Sequence, residues 1–383
     1  MKLRMLLIGV LFVGLYGVLT YYVGWNGLVF VDALGGSVNG WIYWPVLIVL
    51  SLAYLVGRSP YAQGRITRIL KVVGSYYFGL FEYLLILLPL TNLIVWISIK
   101  AGADRIPLLQ GAGWILTAIL VLIMLYGSWN AWSPVVRSYE LEIDKPIGDR
   151  NELTVAMASD IHLGNIVGNR HLGRLVQRMN ALEPDVVLLP GDVLDEDIEP
   201  FIRNSMADTL KKLKATYGVY ASLGNHEYYG GHIEDYVSRM KEIGIPVLRD
   251  ETVLVADSFY VVGRKDKTAE TMEPGRRLPV AELLSGLDPS KLILLMDHQP
   301  YKFAEAAAAG ADLLVCGHTH RGQFAPNHWI TRRLFELDWG YMRKERMHVA
   351  VSSGFGTWGP AIRIASRSEL LELKLVYRPK TRE

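Results

Sequence analysis

The chain has 383 residues, a hydrophobic fraction of 51% and a formal net charge of +2. So small a charge argues against a protein that works by neutralising nucleic-acid phosphates, and the single cysteine, Cys316, excludes an internal disulfide framework. The mean hydropathy of +0.20 is raised by an apolar excess confined to the first third, which points to a membrane region followed by a globular one.

Four apolar segments precede Trp132, at residues 5–23, 41–56, 76–99 and 108–127. Each is near the ~20 residues a helix needs to cross the hydrocarbon core. Lys2 and Arg4 before the first segment also suit a signal peptide, but no clean small-x-small cleavage site follows, so an uncleaved anchor is expected. Lys2 and Arg4 stand ahead of the first segment and Arg58, Arg65, Arg68 and Lys71 between the second and third, whereas residues 24–40 contain no Lys or Arg. The loop before the fourth segment has only Lys100 and Arg105. Because basic loops stay in the cytoplasm, both termini are expected there, in a multi-pass protein of the cell membrane. Glu82, inside "LFEYLLILLPLTN", is an ionisable group at membrane depth and so a functional candidate by default; a place near the headgroups or beside a neighbouring helix explains it as well.

From about residue 137 short apolar runs alternate with amphipathic helical stretches. "LTVAMASDIH", "PDVVLLPGD", "GVYASLGNHE", "KLILLMDHQP" and "ADLLVCGHTH" each read as a buried strand ending in a polar cluster. "NRHLGRLVQRMNAL", "FIRNSMADTLKKL" and "HIEDYVSRMKEI" between them have helical spacing. This predicts an alternating α/β domain over 137–383 after a helical membrane region over 1–132. The boundary lies in "NAWSPVVRSYELEIDKPIGDRNE", which also holds a first strand.

Ligand sites in alternating α/β folds gather at the carboxyl ends of strands. There the chain places Asp160, His162, Asp192, Asn225, His298, His318 and His320, all of metal-ligand type, with His226 beside them. Singly each is ordinary: Asp192 after Gly191 caps a helix as readily as it binds an ion. Five of the 9 histidines falling at strand ends is hard to reconcile with separate ordinary roles.

The series D-x-H, G-D, G-N-H-E, a lone His and G-H-T-H resembles the calcineurin-like metallophosphoesterases, over roughly residues 152–377. The extra acid in "GDVLD" and the late stretch "SSGFGTWGPAIRIASRSELLEL" look like the bacterial membrane-associated YkuE/YaeI-like branch. The resemblance implies a four-layer α/β/β/α domain and a dinuclear centre: Asp160, His162 and His320 on one ion, Asn225, His298 and His318 on the other, and Asp192 bridging. Mixed imidazole, carboxylate and amide ligands suit Mn, Fe or Zn better than Mg. A hydroxide shared by the ions would be the nucleophile, and His226 matches the family histidine beside the leaving group. Asp195 is either a partner fixing a histidine tautomer or a helix cap.

Two departures stand out. Arg321 occupies the place of a common family glycine, as a phosphate fork or one half of a surface ion pair; with it Arg363 is expected on the substrate. The insert "HWITRRLFELDWGYMRKERM" spaces Ile330, Leu334, Leu337 and Tyr341 at near-helical intervals among Arg332, Arg333, Arg343 and Lys344. It reads as a membrane-facing lid, with Trp329, Phe335 and Trp339 interfacial, or as a helix packed on its own domain. The expected activity is metal-dependent hydrolysis of a phosphoester or pyrophosphate on a cytoplasmic domain, with an amphiphilic, lipid-linked substrate and no nucleic-acid partner. Alternatives are a nucleotide-lipid pyrophosphatase of UDP-diacylglucosamine type, a membrane sensor or transporter with this domain as output, and a scaffold.

Overall fold

The computed structural model describes residues 2–58, 64–273 and 277–378; the end of the expected second domain, 379–383, lies outside them. The chain divides into two compact units, Met1–Gly127 with Gly359–Ile362, and Ser128–Trp358 with Arg363–Glu383.

The first unit is built on helices α1 (Lys2–Ala33), α2 (Gly40–Gly57), α3 (Arg65–Lys100) and α4 (Arg105–Trp132). All four are long and apolar enough to cross a membrane. They outrun the apolar segments of the sequence, because backbone hydrogen bonding continues past the first polar side chains. Asn39 sets the start of α2, its side chain accepting from the Trp41 N–H at 2.9 Å. Polar groups on α1 and α3 answer each other: the Asn92 amide donates to Tyr22 Oη and to Asn26 Oδ1, both at 2.8 Å. Glu82 is half-buried on α3.

The second unit contains β1 (Val135–Ile143), β2 (Glu152–Met157), β3 (Val186–Pro190), β4 (Val219–Ser222), β5 (Val247–Leu248), β6 (Glu251–Val255), β7 (Phe259–Gly263), β8 (Leu292–Met296), β9 (Leu313–Cys316), β10 (Gly340–Lys344), β11 (Met347–Val351) and β12 (Glu369–Tyr377). These form two six-stranded sheets, β1-β12-β2-β3-β4-β5 and β10-β11-β9-β8-β7-β6. The strands β2 to β5 run parallel in the first sheet, as do β7, β8, β9 and β11 in the second.

Alternation along each strand explains the layering. Leu153, Val155, Met157, Val186 and Leu188 share one buried cluster with Leu292, Leu294, Met296, Leu313 and Val315, so the sheets face each other through these positions. The intervening Ala156, Val187 and Leu189 pack instead with Leu172, Leu175 and Met179 of the helix Asn169–Asn180. Ile293, Leu295, Leu314 and Cys316 pack with Phe303 and Ala306 of the helix Phe303–Ala308. Helix, sheet, sheet, helix is the expected four-layer order, and it accounts for strands that read as continuous apolar runs.

Two expectations are corrected. "FIRNSMADTLKKL" forms two short helices, Glu199–Arg203 and Met206–Leu210, separated at Ser205, whose φ is 46°. In the insert, the helix covers only His328–Leu334 and ends at Phe335, whose backbone is extended (φ −116°, ψ 144°). Tyr341 therefore lies on β10, paired with Ala350, and shares no helical face with Ile330 and Leu334.

Candidate metal centre

Five strand ends converge on one buried spot. Asp160 and His162 follow β2, Asp192 follows β3, Asn225 opens the helix Asn225–Gly230 after β4, His298 follows β8, and His318 and His320 follow β9. Five of these residues have left-handed backbones: Asp160 (φ 50°), His162 (51°), Asp192 (51°), His318 (72°) and His320 (48°). Non-glycine residues rarely adopt this conformation, at a cost of about 1–3 kcal/mol each, and their clustering marks a functional site. Cross-loop bonds hold them there: the Asp160 N–H donates to Gly191 O at 3.2 Å, that of His162 to Asp192 O at 3.0 Å, and that of His318 to Asp160 Oδ1 at 2.8 Å.

The side chains fall into two groups. In one, His162 Nε2 faces His320 Nε2 at 3.0 Å, and Asp160 Oδ1 is 3.4 Å from that same His320 nitrogen. In the other, Asn225 Oδ1 lies 3.2 Å from His298 Nε2 and 2.7 Å from His318 Nδ1. Asp192 Oδ2 reaches both, 3.1 Å from His298 Nε2 and 3.9 Å from His162 Nε2. The donor atoms of Asp160, His162 and His320 lie within 4.8 Å of one another, as do those of Asp192, His298 and His318. Two buried carboxylates and four imidazoles aimed at each other this closely would be costly without a cation between them. These residues fit divalent metal ions. Backbone packs so close that a side chain at Gly317 would overlap the Asp160 carboxylate and one at Gly224 the Asp192 carboxylate.

The electrostatics suit such ligands. Burial pushes His162 down to about 3 and His318 down to about 4, and holds His320 well below the usual range, leaving imidazoles with free lone pairs. Burial, with Asp192 adding to it, raises Asp160 to about 6. Burial opposes ionisation of Asp192 too, but the His298 and His226 rings overcome it and keep the carboxyl well below its ordinary value. Likewise burial disfavours a charged His298, and Asp192 and Asp160 outweigh it, so its pKa lies well above the usual range. This pocket demands positive charge beside Asp192.

His226 is set differently. Its N–H donates to Asp192 Oδ1 at 2.9 Å, while its ring stands perpendicular to His162 at a centroid distance of 4.6 Å. His226 Nδ1 is 3.5 Å from Asp195 Oδ1 and 3.8 Å from Glu196 Oε1. Burial would lower its pKa, yet Asp192, Asp195 and Glu196 raise it to about 9.

Glu227 escaped the sequence reading. It is buried, its Oε2 accepting from the N–H groups of Asp192 (3.1 Å) and Gly224 (2.7 Å) and its Oε1 from that of Leu194 (2.9 Å). Burial, then Asp192, raises it to about 7. The glutamate of "GNHE", three residues after Gly224, was the available signal. Arg363, expected on the substrate, is buried among backbone carbonyls beside His320. It has no exposed surface, and its guanidinium donates to the carbonyls of Ser353 (2.7 Å), Gly354 (3.1 Å) and Gly356 (2.5 Å) while Nη2 lies 3.3 Å from His320 Nδ1. Burial lowers it to about 10. Arg321 lies over the Trp339 ring, 3.9 Å from its centroid. Trp339 in turn is half-buried, its Nε1 donating to the buried Glu369 at 2.9 Å.

Residues 153–322 match the family model described as Calcineurin-like phosphoesterase. A transmembrane protein with metallophosphoesterase domain from Danio rerio is 33% identical over 272 residues, covering 68% of this chain and 61% of that protein. The protein of the same description from Bos taurus is 29% identical over 277 residues, covering 69% and 62%. The chain thus spans less than two thirds of the length of either vertebrate relative. An uncharacterized metallophosphoesterase from Campylobacter jejuni is 30% identical over 264 residues, covering 67% of this chain and 68% of that protein.

Proposed function

We propose that this chain, which belongs to the calcineurin-like metallophosphoesterases, is a membrane-associated hydrolase that cleaves a phosphoester or pyrophosphate bond at a two-metal centre. The observation that carries this reading is Asp192 Oδ2, one carboxylate oxygen within 3.1 Å of His298 and 3.9 Å of His162. Asp160, His162 and His320 would hold one cation, Asn225, His298 and His318 the other, with Asp192 shared. Divalent Mn, Fe or Zn bound there supplies Lewis acidity toward a phosphoryl oxygen and lowers the pKa of water at the site.

The chain's own residues do the rest. His226, whose charged form Asp192, Asp195 and Glu196 favour, would donate a proton to the departing oxygen. Asp195 sets the ring's orientation. Glu227 ties the loop carrying Asp192 to the one carrying Asn225. Arg363 positions His320 through the ring nitrogen that faces away from Asp160. We further assign the catalytic domain to residues 137–383, place it on the cytoplasmic side on the strength of the basic loops, and take the substrate to be an amphiphile.

The test is to assay the purified full chain with Mn, and after chelation, against phosphomonoesters, phosphodiesters and pyrophosphates. Turnover that needs metal is expected with at least one class, and Asp192→Asn should abolish it and lower the metal content. An Asp192→Asn protein with wild-type turnover and two bound ions would falsify the assignment.

A further inference from the structure

One surface of the insert is unused by the hydrolytic reading. In the helix His328–Leu334, Thr331 faces inward, its Oγ1 donating to Oδ2 of the buried Asp338 at 2.7 Å. The opposite side carries Trp329, Ile330 and Leu334, which are 64%, 58% and 67% exposed. At about 100° per residue these three fill an arc of about 140°, with Arg333 inside the arc and Arg332 on the flank of the helix about 60° beyond Trp329. Both arginines are exposed and neither makes an ion pair among the described residues. By contrast, Lys344 is held by Glu336 at 2.7 Å and Arg343 donates to the Glu345 carbonyl. Phe335 continues the apolar surface to the centre, its ring 6.1 Å from His318 and 5.0 Å from Tyr301.

Three large apolar side chains outward on two helical turns are not what water-facing helices carry. Guanidinium groups set in and beside the apolar arc suit a surface where apolar stems sink and charged heads meet anions. A protein partner would have to place a carboxylate inside an apolar contact to answer Arg333, whereas a leaflet presents phosphates directly above its acyl chains. The same chain has four helices of membrane-spanning length, so a leaflet is at hand.

We propose that the helix His328–Leu334 seats in the headgroup region of an anionic lipid leaflet, with Trp329, Ile330 and Leu334 among the upper acyl carbons and Arg332 and Arg333 at the phosphates. Phe335 then joins that lipid contact to His318, which makes the helix the entry for an amphiphilic phosphoester. This last step rests on the hydrolase reading; the docking itself does not.

Cys316, the only cysteine, is fully buried, so a new surface thiol can be labelled selectively, with the unsubstituted chain as the blank. Spin labels at Ile330→Cys and Leu334→Cys, and at Asp208→Cys as a water-facing reference, are compared in the full chain in nanodiscs of phosphatidylcholine with or without phosphatidylglycerol. In anionic discs the labels at 330 and 334 should favour dissolved oxygen over a water-soluble nickel relaxant several-fold more than the label at 208. Arg332→Glu with Arg333→Glu, or discs without phosphatidylglycerol, should reduce that preference several-fold while the spectrum at 208 reports an unchanged fold. A 334 label that behaves like the one at 208 overturns the docking, as do labels shielded from both relaxants by a protein contact. A preference indifferent to lipid charge overturns the anionic leaflet. None of these readings uses turnover, so they stand apart from failure of the metal-dependent assay.

Discussion

Leucine behaves oppositely in the two units. Leu11 and Leu122 of the apolar helices are 73% and 65% exposed, whereas Leu153 and Leu188 of the sheets have no exposed surface. Burial of apolar groups answers to the surrounding solvent, and the helical unit is built for one that is itself apolar. Polar groups reverse in the same way. In the helical unit Asn92, Tyr22 and Asn26 bond to one another across helices. In the sheet unit Asp160, Asp192, His162, His298 and His320 are buried at one end of the strands, where they are costly to the fold and useful to chemistry.

The sharpest way to probe this contrast is His226→Ala. It should lower kcat by roughly 10²–10⁴-fold while two ions per chain remain by metal analysis; loss of metal would make His226 a ligand and its acid role wrong. The same substitution in both units gives a direct comparison. Leu153→Ala should destabilise the sheet unit by about 2–5 kcal/mol, read from denaturant unfolding, and Leu122→Ala should leave the melting temperature in detergent within error. Equal losses at the two positions would break the solvent argument. A smaller loss than that of Leu153→Ala is expected from Arg363→Lys, which keeps the charge but not the fork: metal affinity should fall about 10–100-fold, with kcat restored at saturating Mn. A lower kcat at saturation would instead put Arg363 on the reacting phosphate.

Much of this architecture could be read along the chain. The five strands that carry the candidate ligands were visible because both of their faces are covered, so each is an unbroken apolar run ending in polar residues. The helical segments were visible because a span suited to an apolar solvent is also an unbroken apolar run, but their ends were not: α1 runs through Asn26 and Asp32 to Ala33, since hydropathy marks where a helix meets lipid and says little about where hydrogen bonding stops. The insert misled because Leu337 and Tyr341 keep helical spacing by coincidence, while the chain turns extended at Phe335. The surroundings of Arg363 are not legible along the chain because its carbonyl partners, and a candidate ligand 43 residues earlier, come together only through the sheet topology. No local pattern encodes that encounter.

Strand register has one more consequence. Asp192 and His298 stand two residues beyond the last residues of β3 and β8, Pro190 and Met296, and the core alternates faces with every step of those strands. Deleting a single residue inside either strand would turn its inter-sheet side chains toward the helices and draw its candidate ligand back by about 3.3 Å. The loops beyond the candidate ligands are free of that constraint. A change of length between core and ligand is a far narrower door, and new specificities in this architecture should arise by insertion on the outer side of it.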